Sequence, residues 1–94
     1  MGWIDTLLIE CNRERWPIRF HPHAIMRQGE RSIAPRIMEQ AVRRGKLVIH
    51  KCGPPRKLCF EYYDGKTRMT YGTYVLVQDA YFEVMTAWKR RGRQ

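Results

Sequence analysis

Carboxylates are scarce in this sequence: nine Asp and Glu stand against eighteen Lys and Arg, a formal net charge of +9. No apolar run approaches the length of a membrane span, so a transmembrane protein is not expected. The opening Met1-Gly2-Trp3-Ile4-Asp5 has no basic segment ahead of an apolar core and does not read as a signal peptide. Cysteine is limited to Cys11, Cys52 and Cys59, an odd number with no C-x-x-C pair. That pattern argues against a disulfide framework and for a reducing, cytoplasmic compartment. No internal repeat and no low-complexity segment is visible, and 44% hydrophobic residues exclude a disordered chain.

What remains is a basic chain of 94 residues, the length of one domain (1–94). Such a chain buries a thin core, so each large apolar side chain matters. Thirteen of its eighteen cations are Arg. Arg offers a planar fork of donors that fits phosphate at two points, whereas Lys acts as a point charge. The excess therefore points to a polyanion, either nucleic acid or an acidic protein, against the plainer reading of a solubilising surface.

Along the chain, Trp3, Ile4, Leu7, Leu8 and Cys11 recur at helical spacing, which predicts a short amphipathic helix over 3–12 within an N-terminal extension, 1–16. Asn12 to Arg15 is a polar break, and Trp16-Pro17 ends any helix. Ile18 to Phe20 alternates like a short strand at the start of a core spanning 18–88. Pro22 suits a first helical position, and a helix follows to residue 31, with Gly29 as an unfavourable interior residue. A second helix runs from Pro35 to about Arg44, capped by Gly45. The period then shortens to that of strands: 46–51, 58–63, 67–77 and 81–88. A Cys52 to Arg56 loop, an Asp64-Gly65 hairpin turn and a 78–80 turn separate them, and Gly72 suggests a bulge. Residues 89–94 read as a mobile basic tail. The class is α+β, with helices packed on one face of a four-stranded, mainly antiparallel sheet. The other face is left free to bind, and five Tyr fall in or beside the strands.

Chemistry concentrates in His23-Ala24-Ile25-Met26-Arg27-Gln28-Gly29-Glu30-Arg31-Ser32-Ile33. His23, Arg27 and Arg31 are spaced i, i+4, i+8 and share one broad helix face. Three basic groups so placed repel each other, and a phosphate would relieve that. Imidazole exchanges protons near neutral pH, and guanidinium groups stabilise charge building on phosphorane oxygens. The face therefore suits metal-free cleavage of RNA, in which the ribose 2′-OH attacks the adjacent phosphorus. The plainer alternatives are His23 bonding local backbone and Arg31 pairing with Glu30 or Glu39.

The pattern H-A-x-x-R-x-x-x-R-x-I, followed by Ile37, Ala41, Val42 and Gly45 and then by Val84-Met85-Thr86-Ala87, resembles a widespread bacterial domain family. That family is similar to the RelE, ParE and BrnT toxins, and the resemblance covers about residues 18–88. It implies a RelE-like helix-helix-sheet domain, a toxin–antitoxin setting with RNA as target, and an acidic antitoxin as a further partner. Carried over residue by residue, it implies His23, Arg31 and Thr86 as catalytic positions, with Arg27 on substrate. Two departures stand out: Gly29 lies within the helix, and Ser32 stands where the family usually has Gly. The helix over 3–12 is an addition.

Arg56, Lys57, Lys66 and Arg68 surround the hairpin and could follow a phosphate backbone, and Arg56, Lys57 and Arg68 join Arg27 as candidate substrate-binding residues. Tyr62, Tyr63, Tyr71, Tyr74 and Tyr81 could stack on bases or pair across strands. His50, Cys52 and Cys59, with His21 or His23, fit no standard zinc spacing, so neither metal nor other cofactor is expected. The sequence thus suggests an RNA-directed, toxin-like domain acting as a metal-independent ribonuclease through His23. The alternatives are a non-catalytic nucleic-acid-binding protein and a module that binds an acidic protein.

Overall fold

The computed structural model describes residues 2–92. Its elements run α1 (Trp3–Glu10), β1 (Ile18–Phe20), α2 (Pro22–Arg31), α3 (Pro35–Arg44), β2 (Lys46–Leu47), a 3-10 turn (Ile49–Lys51), β3 (Lys57–Asp64), β4 (Met69–Gln78) and β5 (Tyr81–Arg91). The class is α+β, as the periodicities indicate. The sheet has five strands rather than four, in the order β1-β5-β4-β3-β2. It is mixed: β1 pairs in parallel with β5, from Ile18 opposite Phe82 to Phe20 opposite Val84, and the other neighbours are antiparallel.

Alternation along the strands decides which face is covered. Leu58, Phe60, Val75, Val77, Phe82 and Val84 point to one side and form the main core with Leu7 of α1, Ala24 of α2 and Val42 of α3. A second cluster joins Ile33 and Met38 to Tyr71 and Ala87 on the same side. All three helices therefore pack on one face. The intervening residues, among them Glu61, Gly72, Tyr74, Thr86 and Trp88, point to the other.

Four expectations are corrected. The strand over 46–51 stops at Leu47, because Lys51 N–H bonds back to Val48 O and folds the chain into a 3-10 turn, leaving Ile49 and His50 exposed. The basic tail is strand as far as Arg91, since Met69 to Tyr71 supply pairing partners for Arg91 to Lys89; Arg93 and Gln94 lie outside the described residues. The bulge falls between Tyr74 and Val75 rather than at Gly72. At the hairpin, positive φ is taken by Arg68 (59°) and not by Asp64 or Gly65. Asp64 organises that longer turn, accepting from Lys66 N–H and the Thr67 hydroxyl through its carboxylate and from Arg68 N–H through its carbonyl.

The polar break over 12–15 is also a clasp. Arg13 donates to the carbonyls of Val42 (2.8 Å) and Gly45 (2.7 Å), closing the C-terminus of α3. Arg43 in return donates to the carbonyls of Arg13 and Trp16. Gly45 sits at φ −68°, so its need for glycine comes from crowding, not from a left-handed turn: a Cβ there would meet the carbonyl oxygens of Ala41 and Glu61.

Two glycines generate opposite predictions. Gly29 is exposed in α2, and the space that a Cβ would occupy there is open, so Gly29→Ala is expected to raise stability by about 1 kcal/mol in denaturant melts. Gly72 lies under the Trp88 indole, and a Cβ would overlap the ring. Gly72→Ala is expected to lower stability by about 1–3 kcal/mol, with a change in tryptophan emission.

Candidate functional site

The α2 face is built by local signals. His21 is the N-cap, its Nδ1 accepting from the His23 N–H at 3.1 Å, and Pro22 fills the first helical position. Ser32 closes the helix in the left-handed region (φ 54°, ψ 48°), bonding the carbonyls of Gln28 and Gly29. Glycine adopts that conformation most easily, and here a serine holds it.

Ala24 and Gln28 are the buried residues of α2. His23 and Arg27 each precede one of them, so the basic row runs beside the buried row along the helix. His23 is exposed. Its Nε2 accepts from Arg27 Nε at a long 3.4 Å, an arrangement that needs a neutral ring unprotonated at Nε2. Arg27 also meets Glu30 at 3.4 Å, so part of its charge is answered within the helix. Arg31 is exposed and makes no ion pair with Glu30 or Glu39; its guanidinium donates to Ala87 O of β5 at 2.6 Å. Among the described residues, Glu30 and Glu61 are the carboxylates engaged in ion pairs, which leaves the basic excess largely unanswered by the chain's own acids.

The remaining candidates are dispersed. Thr86 shares a register with Tyr74, on the face opposite α2, so the sheet does not bring its side chain to His23. Arg56 Nε donates to Val77 O at 2.6 Å and fastens the loop before β3 to the end of β4. Arg68 sits in the β3–β4 turn. Lys57 reaches over the Tyr74 ring, 4.7 Å from its centroid, on the helix-free face. Tyr71 is buried, and Tyr62 lines a groove of about 280 Å³ with Arg36, Gln40, Arg44, Asp64 and Lys66. The cysteines and histidines weighed for zinc are not gathered: among the described residues no three His, Cys, Asp or Glu groups could hold a metal. Cys59 is fully buried, and burial pushes its thiol up to about 11.

Sequence reading missed the group around Trp88. The indole covers Gly72 and stands 5.1 Å from the Tyr74 ring at 49°. Lys51 Nζ lies 5.5 Å from the indole centroid. Beside it, Glu61 accepts two bonds from Arg90, at 3.0 and 3.1 Å, and one from Lys51 at 3.5 Å. The only signal for this group was a glycine and a tryptophan, each mid-strand, whose pairing depends on register.

No family model, no curated protein and no solved structure matches the chain. No helix among the described residues is long and apolar enough to cross a membrane.

The Arg90 hydrogen bonds, the leading cause, hold the Glu61 carboxyl below the usual range despite its burial. A carboxyl depressed by folding stabilises the native state above its unfolded value, about 4.3, and loses that contribution as pH falls through the lower folded value. The Glu61→Gln variant is therefore expected to melt below wild type at about pH 7, with the gap closing below about pH 4. A gap independent of pH would show that the carboxylate charge is not what Arg90 requires.

Proposed function

We propose that the chain is an RNA-directed domain of the toxin-like kind, with a metal-independent cleavage site on the α2 face. The observation that carries this reading is the exposed His23 imidazole beside Arg27 and in one row with Arg31, in a chain of net charge +9. The helix-helix-sheet order, with all helices on one face, supports the RelE-like layout that the motif resemblance implies. An acidic antitoxin suits the same surface, since it presents the charge of the RNA it would displace.

In the proposed reaction His23 accepts the proton of the ribose 2′-OH. The 2′-oxygen forms a bond to the adjacent phosphorus, the bond from phosphorus to the 5′-oxygen breaks, and that oxygen takes a proton from water. The products are a cyclic phosphate and a 5′-hydroxyl. Arg27 and Arg31 bear the phosphorane charge, Arg31 by exchanging its bond to Ala87 O for one to phosphate. Thr86, facing the other way, orients RNA at a distance from the reacting atoms. Arg56, Arg68 and Lys57 track the backbone beyond them.

A second reading, nucleic-acid binding without cleavage, is favoured by that separation of Thr86 from α2 and by the Arg31 bond to the main chain. Incubating the protein with single-stranded RNA and a chelator decides between them. Cleavage is expected from wild type, with a loss of about 10²–10⁴-fold in His23→Ala. Intact RNA with wild type, alongside salt-sensitive binding that His23→Ala leaves unchanged, would establish the second reading instead.

A further inference from the structure

We infer that the helix-free face of the sheet is a stacking platform for single-stranded RNA, with Trp88 and Tyr74 receiving bases while Lys51 and Lys57 receive phosphates. The inference rests on RNA as the partner and adds a surface remote from the α2 face. Three neighbouring strands build it. Glu61, Gly72 and Trp88 share one row across β3, β4 and β5, and Cys59, Tyr74 and Thr86 share the next. Lys46 of β2 extends the first row opposite Glu61.

Glycine at position 72 is what lets the indole lie down on the sheet. Any side chain there would lift the ring, so the close approach of strand and indole fixes Trp88 as a broad, half-buried surface. The two rings are partly exposed, and the three α-helices pack on the other face. Each ring has an ammonium group over it, Lys51 of the 3-10 turn at 5.5 Å from the Trp88 centroid and Lys57 at the start of β3 at 4.7 Å from that of Tyr74. Both are cation–π contacts made by long side chains, and Lys51 also meets Glu61 at 3.5 Å.

The chemistry selects the occupant. A base replaces an ammonium over a ring face, and the displaced ammonium turns to the phosphate that follows the base. Lys46, Lys51, Lys57 and Arg90 stand around the rings, and among the described residues Glu61 and Glu83 are carboxylates of the same face, so positive charge is in local excess and suits a polyanion. An acidic protein segment would satisfy the lysines but offer nothing flat to the rings. A duplex would offer phosphates but keep its bases stacked inside. Arg90 is a positioning residue here, holding Glu61 to one side of the indole through its paired bonds.

The test is a fluorescence titration with a short 2′-O-methyl oligouridylate, which has no free 2′-OH and so cannot be cleaved. Trp3 and Trp16 pack against the core on the helix side, so quenching by a stacked base reports on Trp88. Quenching is expected in wild type and in His23→Ala, and is expected to vanish in Trp88→Phe. Tyr74→Leu keeps apolar volume without the ring, and it is expected to weaken binding by about 5- to 150-fold, the worth of one stacked base. Matching circular dichroism and melting curves confirm that each variant folds, and Lys57→Ala, altered at an exposed side chain, gives an independent loss of affinity. Oligonucleotide binding that neither quenches Trp88 nor weakens in Tyr74→Leu and Lys57→Ala would overturn the platform and leave RNA as partner. Absence of binding to wild type at low salt would overturn both.

Discussion

Everything in this molecule depends on the burial of one side of the sheet. Phe60, Phe82, Val42 and Met38 are fully buried, and the strands that carry the two phenylalanines have only one face on which to hide them. With about ninety residues there is material for one layer of helices and no more. The three helices are therefore spent on the same side, and clasps such as Arg13 on the end of α3 lock that layer to its own connecting loop. The opposite face has no α-helix over it, and its partly exposed side chains include the aromatic rings of Tyr74 and Trp88 beside Lys51 and Arg90.

Two surfaces follow from this asymmetry, and they are not equivalent. The α2 row is a helix surface whose cations have alternatives close by, Glu30 for Arg27 and a carbonyl of β5 for Arg31. The sheet surface is held by cross-strand register and by the paired bonds between Glu61 and Arg90. A polyanion that wrapped the edge of the sheet would meet both. Under the proposed function, one surface supplies grip on bases and the other supplies proton transfer. The separation of Thr86 from His23 then belongs to the division of labour between faces rather than to a single pocket.

The legible parts of the sequence were those governed by local rules. Pro22 and Pro35 mark the starts of α2 and α3, and the shift in period after Gly45 marks the change from helix to sheet. Strands β3, β4 and β5 follow from alternation. What escaped depends on partners distant in sequence. Three residues, Ile18 to Phe20, are too few to announce membership of a sheet, and their pairing with β5 is settled by contacts more than sixty positions away. Lys89 to Arg91 look like a solvated tail until β4 is seen to extend beside them. The His/Arg row was visible from spacing, but its partners on Glu30 and Ala87 were not. Trp88 carried no motif at all; only the register that sets it over Gly72 gives it meaning.

The short reach of β1 has one more consequence. It shields β5 only from Phe82 to Val84, so the strand continues through Arg91 with its outer border uncovered by any described strand. Borders of that kind recruit other chains and seed aggregates. Here Arg31 plugs the first open carbonyl, at Ala87, and Lys89 and Arg91 line the remainder with like charge. Like charge along a border disfavours the pairing of two copies there, one of the ways an open strand edge is kept from zipping to itself.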